Sequence, residues 1–143
     1  MKPDTAKSIL SFLAIMHIII GITLPFLVET RLFDYYNHKM LAAFNSASHD
    51  AMEIGKFMLG ILGPSIASWG ILFLFLVRHA YQTGSKSAFK VMLVAIVGWS
   101  SYDMTLSLMA GVYLNIIIDM VVMTLLLTPI ILTRSHFLKN IHE

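Results

Sequence analysis

Four long apolar runs divide the chain, and polar residues gather between them. The runs cover about 8–28, 51–77, 89–110 and 112–133. Each is close to the ~20 residues a helix needs to cross a bilayer core. The pattern predicts an all-α integral membrane protein, folded as an antiparallel four-helix transmembrane bundle. Between the first two runs the period changes. Phe33, Tyr36, Met40 and Phe44 recur at helical spacing, with Asp34, Asn37, His38 and Asn45 elsewhere around the helix. Residues 30–45 are therefore expected to form a short amphipathic helix lying in the membrane interface. A polar turn from Asn45 to Asp50 leads into the second span, and a turn at Gly111 joins the third span to the fourth. No repeat is visible, and residues 1–143 read as a single transmembrane domain. Asp4, following Pro3, suits a helix start. The first apolar run is too long for a signal peptide and lacks a small-x-small site, so an uncleaved anchor is expected.

Loop charges orient this bundle. Lys2, Lys7, Arg78, Lys86, Lys90, Arg134 and Lys139 fall at one end; Arg31, Lys39 and Lys56 fall at the other, among Glu29, Asp34, Asp50 and Glu53. The positive-inside rule places both termini in the cytoplasm, and a bacterial inner (cytoplasmic) membrane is the expected location. Lys56, near the end of its span, is expected to snorkel to the headgroups.

Composition agrees: 57% of the 143 residues are hydrophobic and 13% charged, against about 25% charged in soluble domains. There are no cysteines, which excludes disulfides, thiolate metal sites and Cys nucleophiles. The net charge of +2 comes without a basic run interleaved with aromatics, so no nucleic-acid partner is expected. Nucleophile elbow, phosphate loop and His-Glu-x-x-His are all absent. The chain reads as a non-enzyme; any chemistry would be acid/base work on a lipid-like substrate. No cofactor and no metal are expected. His17 is the only histidine well inside a span, which argues against bis-histidine haem; His38, His49, His79, His136 and His142 are expected in loops or the tail.

The conspicuous exceptions to greasiness are Asp103 and Asp119. They stand eight residues before and eight after Gly111, so both lie roughly 12 Å below the turn. Carboxyls at membrane depth are costly, by ~2.5–3.5 kcal/mol for an Asp at a helix centre, and by default mark a functional site. Two neighbouring carboxylates repel, and a shared proton, a bound cation or His17 as imidazolium would relieve them. Asn115 lies one turn from Asp119 on the same face, and Trp99 and Ser107 share a face with Asp103. His17 and Ser65 come to comparable depth from the first and second spans. The simplest arrangement gathers them into one site: Asp103 and Asp119 at its centre, Asn115 orienting Asp119, His17 as proton partner, Ser65 in the lining, Trp99 and Tyr102 as walls. The bland alternative makes the acids packing residues that hydrogen-bond neighbouring helices. Gly60, Gly63, Ala67 and Gly70 form a small-residue face best explained by close helix packing. Trp69 and Trp99 lie far from the span ends and are expected to be buried, or else to wall a pocket.

This layout, four spans with acidic and aromatic residues facing a pocket, resembles the architecture of sterol isomerases and sigma-2-type receptors. The resemblance is one of layout and transfers no residue. The favoured function is binding of a hydrophobic or amphipathic small molecule, cationic in one form, or a lipid. A second reading is a non-catalytic accessory subunit with a membrane-protein partner; a third is a proton- or ion-translocating element, for which four short spans are few in a monomer and a homo-oligomer is the alternative. Membrane lipids surround the protein in every case.

Overall fold

The structure, a computed structural model, describes residues 1–43 and 49–138. Phe44, residues 45–48 of the polar turn, Lys139 and His142 lie outside the described residues, as does the side chain of Met40, while His49 and Asp50 of that turn already belong to a helix. The order is α1 (Pro3–Leu27), α2 (Arg31–Ala43), α3 (His49–Thr83), α4 (Lys86–Ala110), α5 (Tyr113–Leu132) and α6 (Arg134–Leu138). Helices α1, α3, α4 and α5 are long and apolar enough to cross a membrane, and they pack antiparallel. The chain is thus a small multi-pass membrane protein of the four-helix class.

Local signals explain most boundaries. Pro3 occupies the first turn of α1, where its missing N–H is harmless, and Asp4 beside it complements the helix dipole. Ser85 caps α4 by accepting from the Ala88 N–H at 3.2 Å. Gly111 ends α4 in the left-handed region at φ 72°. There the Val112 N–H bonds the Ser107 carbonyl at 2.8 Å and the Gly111 N–H bonds Leu108 at 3.2 Å, a Schellman closure.

Three helices outrun the apolar pattern. Helix α1 starts at Pro3 rather than near residue 8, α3 continues to Thr83 rather than ending near 77, and α4 starts at Lys86. Hydropathy marks only the stretch that suits lipid. The backbone stays helical through the polar turn beyond it, until Gly84 breaks α3 at φ 63°. A short helix, α6, went unforeseen. Its Phe137 is fully buried and stacks on Phe89 at 4.8 Å. The histidines expected in loops sit in helices: His38 in α2, His79 in α3 and His136 in α6.

The four spans form two pairs. Helix α1 packs most extensively on α3, and α4 on its hairpin partner α5; contacts between the pairs are fewer. The α1–α3 seam is the small-residue face. Gly21 lies so close to Gly63 and Ala67 that a Cβ there would run into backbone atoms of both. Among the described residues, the buried core unites the pairs at one end. Ala6, Leu10 and Ala14 of α1 meet Phe73, Val77 and Tyr81 of α3, Met92 and Ile96 of α4, and Leu126 and Ile130 of α5. This closed end also holds the Tyr81 hydroxyl 2.6 Å from Thr133 Oγ1. Toward the Gly111 end a cleft opens between α1, α3 and α4. Helix α2 lies there, against α3 and within reach of α5. The Lys56 ammonium lies 3.6 Å from Glu29 and 3.4 Å from Glu53, tying the stretch just after α1 to α3.

Candidate functional site

The two aspartates meet. Helices α4 and α5 leave the Gly111 turn together, so positions equally far from it reach the same depth, and the rotation of each helix brings the carboxyls side by side. Asp119 is 3% exposed, and its Oδ2 has no hydrogen-bond partner among the described residues. Its neighbour is the half-buried Asp103 carboxyl, close enough for one acid to bond the other when a proton lies between them. Asn115 stands one turn above. Its Nδ2 donates to Ser107 Oγ at 2.7 Å, which clamps α5 to α4.

A member unforeseen from the sequence comes from α2. The Tyr36 hydroxyl donates to Asn115 Oδ1 at 3.5 Å. Burial, and then the negative charges of Asp103 and Asp119, push the Tyr36 phenol above its usual value. Periodicity put Tyr36 on an apolar stripe, and its hydroxyl was the only hint of this role. The same stripe misplaced the inward face of α2. Phe33 and Tyr36 are only half-buried, whereas Asn37, expected on the polar side, is fully buried beside Leu41 one turn on. Both amide atoms of Asn37 lack a partner among the described residues.

The remaining predicted residues do not all join this cluster. One turn deeper on α4, Trp99 forms a wall of an open cleft of about 280 Å³, with His17 of α1 and Leu62, Ser65, Ile66 and Trp69 of α3. The cleft thus lies between the α1–α3 pair and α4. Its aromatic wall is continuous: His17 lies 5.0 Å from Trp69, which stacks on Phe73 at 4.8 Å and stands 6.3 Å from Trp99. His17 Nδ1 donates to the Leu13 carbonyl at 2.8 Å, since a carbonyl can only accept. In the neutral ring, Nε2 is left as an acceptor. Trp99 is 42% exposed, so the expected burial in the bundle is replaced by a place at the cleft. Tyr102 is 70% exposed and is not among the residues that line the cleft.

The site is therefore two-tiered. An apolar, aromatic cleft carries His17 and Ser65; one turn above it lies a cluster of Asp103, Asp119, Asn115, Ser107 and Tyr36. Among the described residues no three His, Asp or Glu side chains converge as metal ligands would. The lower tier suits rings or acyl chains, and the upper can hold a proton or face a cation. The chain matches no family model, no curated protein and no solved structure. The likeness to sterol isomerases and sigma-2-type receptors accordingly rests on layout alone.

Proposed function

We propose that the protein binds a hydrophobic or amphipathic molecule with a cationic head, apolar body in the aromatic cleft and head toward Asp103 and Asp119. One observation carries the reading. Trp99 walls the cleft and stands one helical turn from Asp103 on the same side of α4, so a single elongated molecule spans both tiers. The cleft volume is near the lower bound of small-molecule pockets, and its few polar groups suit orientation rather than bond-breaking. The Asp119 Oδ2, without a partner among the described residues, offers an acceptor to an ammonium. The protein acts here as a binder, not an enzyme. Its place is a bacterial cytoplasmic membrane with both termini inside, a reading supported by the basic residues Lys2, Lys7, Arg78, Lys86, Lys90 and Arg134 around the closed end.

Native mass spectrometry of the protein extracted in native lipid particles tests this. The wild type carries a discrete small-molecule adduct. Asp103→Asn inserts normally and weakens that adduct by roughly tenfold or more, as expected for loss of a charge-assisted bond. An adduct unchanged in Asp103→Asn removes the acid from the site. A wild-type chain bare of any small molecule overturns the proposal.

A further inference from the structure

A second groove opens at the closed end, on the surface between α1 and α3. Asp4, Lys7, Ser8, Ser11, Arg78 and Gln82 line it, around about 470 Å³. It shares no residue with the aromatic cleft, and every lining side chain is polar or charged. We propose that this groove binds the phosphate headgroup of an anionic membrane lipid.

Depth is the first argument. The apolar stretch of α1 begins at Ile9 and that of α3 ends at Val77. Lys7 and Arg78 flank those limits at the same end of two antiparallel helices, which is the level of the headgroups. Charge is the second. Among the described residues neither Lys7 nor Arg78 has an ion-pair partner within 4.0 Å. Asp4 is the acid among the six, so the groove keeps an excess of positive charge. Lysine supplies a point charge and arginine a planar fork, a pairing suited to phosphate oxygens, while the serine hydroxyls and the Gln82 amide add donors. The third argument separates a lipid from a free phosphate. Ser11 continues down its face of α1 to Ile15, and Arg78 down its face of α3 to Phe75 and Ile71, all three exposed and apolar. A ligand with its phosphate in the groove has a track for acyl chains directly beneath it. Basic pockets between membrane helices are established headgroup sites.

The test uses the full chain in phosphatidylcholine nanodiscs containing a minor fraction of phosphatidylglycerol. Lipids that stay bound are counted by native mass spectrometry. Wild type retains phosphatidylglycerol over phosphatidylcholine. The double variant Lys7→Gln/Arg78→Gln loses that preference by roughly fivefold for each cation removed. Lys86→Gln/Lys90→Gln, equal in charge but outside the groove, keeps it. An absent preference, or equal loss in both double variants, overturns the proposal in favour of diffuse surface charge. Competition by soluble glycerol phosphate at the concentrations at which the lipid binds would reassign the groove to a free phosphate ester. Should the double variant fail to fold, photoactivatable phosphatidylglycerol on the wild type decides. Labels mapping to the segments holding Lys7 and Arg78 support the site, and labels elsewhere overturn it.

Discussion

A Cβ built on Gly21 overlaps the Ala67 backbone nitrogen and comes within 2.5 Å of the Gly63 carbonyl oxygen. Neither neighbour is a flexible side chain, so an added methyl group must push two helices apart. Gly21→Ala is expected to destabilise the bundle by about 1–3 kcal/mol, the range for overpacking. Gly98 is the internal control, because a Cβ there meets nothing within 4 Å. Gly98→Ala is expected to be neutral or stabilising by up to about 1 kcal/mol through helix propensity. Reversible unfolding in mixed micelles, followed by circular dichroism, compares the two; equal losses would refute the close seam. This seam was legible as a run of small residues on the second span, and its partner Gly21 was not, because one helix's pattern does not name the residue opposite. The aspartates teach the same lesson. Their depth follows from counting along two helices from Gly111. Their contact depends on how each helix is rotated about its axis, which packing decides.

At the scale of the element, α2 is where sequence and structure part most. A helix between the first two spans was foreseeable from its period. Its rotation was not, because its inner face buries Asn37 while part of the expected apolar stripe stays half-exposed. An interfacial helix meets lipid, water and protein at once, so an apolar side chain has more than one favourable place to go. What ties α2 to the acid cluster is the Tyr36 hydroxyl, and this tie is sensitive to pH. The phenol titrates above its ordinary 10.0 when α2 is docked. A group whose value is raised by docking favours the docked state fully below the undocked value, and that support is lost as pH rises from there through the docked value. Phenolate absorbance, taken as wild type minus Tyr36→Phe, should therefore show Tyr36 ionising above the ordinary tyrosine range. In Asp103→Asn the titration should move back toward that range, though not all the way, since burial is the larger cause. A Tyr36 that titrates like a free tyrosine would mean that its hydroxyl is not held beside the acids.

Over the whole molecule, the division into two helix pairs has a mechanical consequence. Among the described residues the buried apolar cluster gathers at the closed end, while the Gly111 end offers a cleft, a long 3.5 Å hydrogen bond from Tyr36 and a buried Asn37 whose amide atoms lack a partner. Regions with few buried apolar contacts open at low free-energy cost, so the pairs should fluctuate as a hinge about the closed end. Four spans were legible from hydropathy; this asymmetry was not, since hydropathy marks a span without saying which faces meet, and only packing shows where the helices part. The absence of cysteine makes the idea directly measurable. Phe75 and Val94 lie about equally far from the Gly84 turn, near the closed end, and Ile61 and Leu106 lie about equally far from it toward the open end; all four are exposed. Spin labels on Phe75→Cys/Val94→Cys should give a narrow distance distribution, and labels on Ile61→Cys/Leu106→Cys a distinctly broader one. A small molecule that bridges His17, Trp69 and Trp99 would hold the two pairs together, so the broad distribution should narrow in protein that retains its adduct and leave the closed-end pair unchanged. Equal widths at the two ends would make the cleft a fixed groove. Binding there would then depend on shape alone, with no closure of α1 and α3 toward α4.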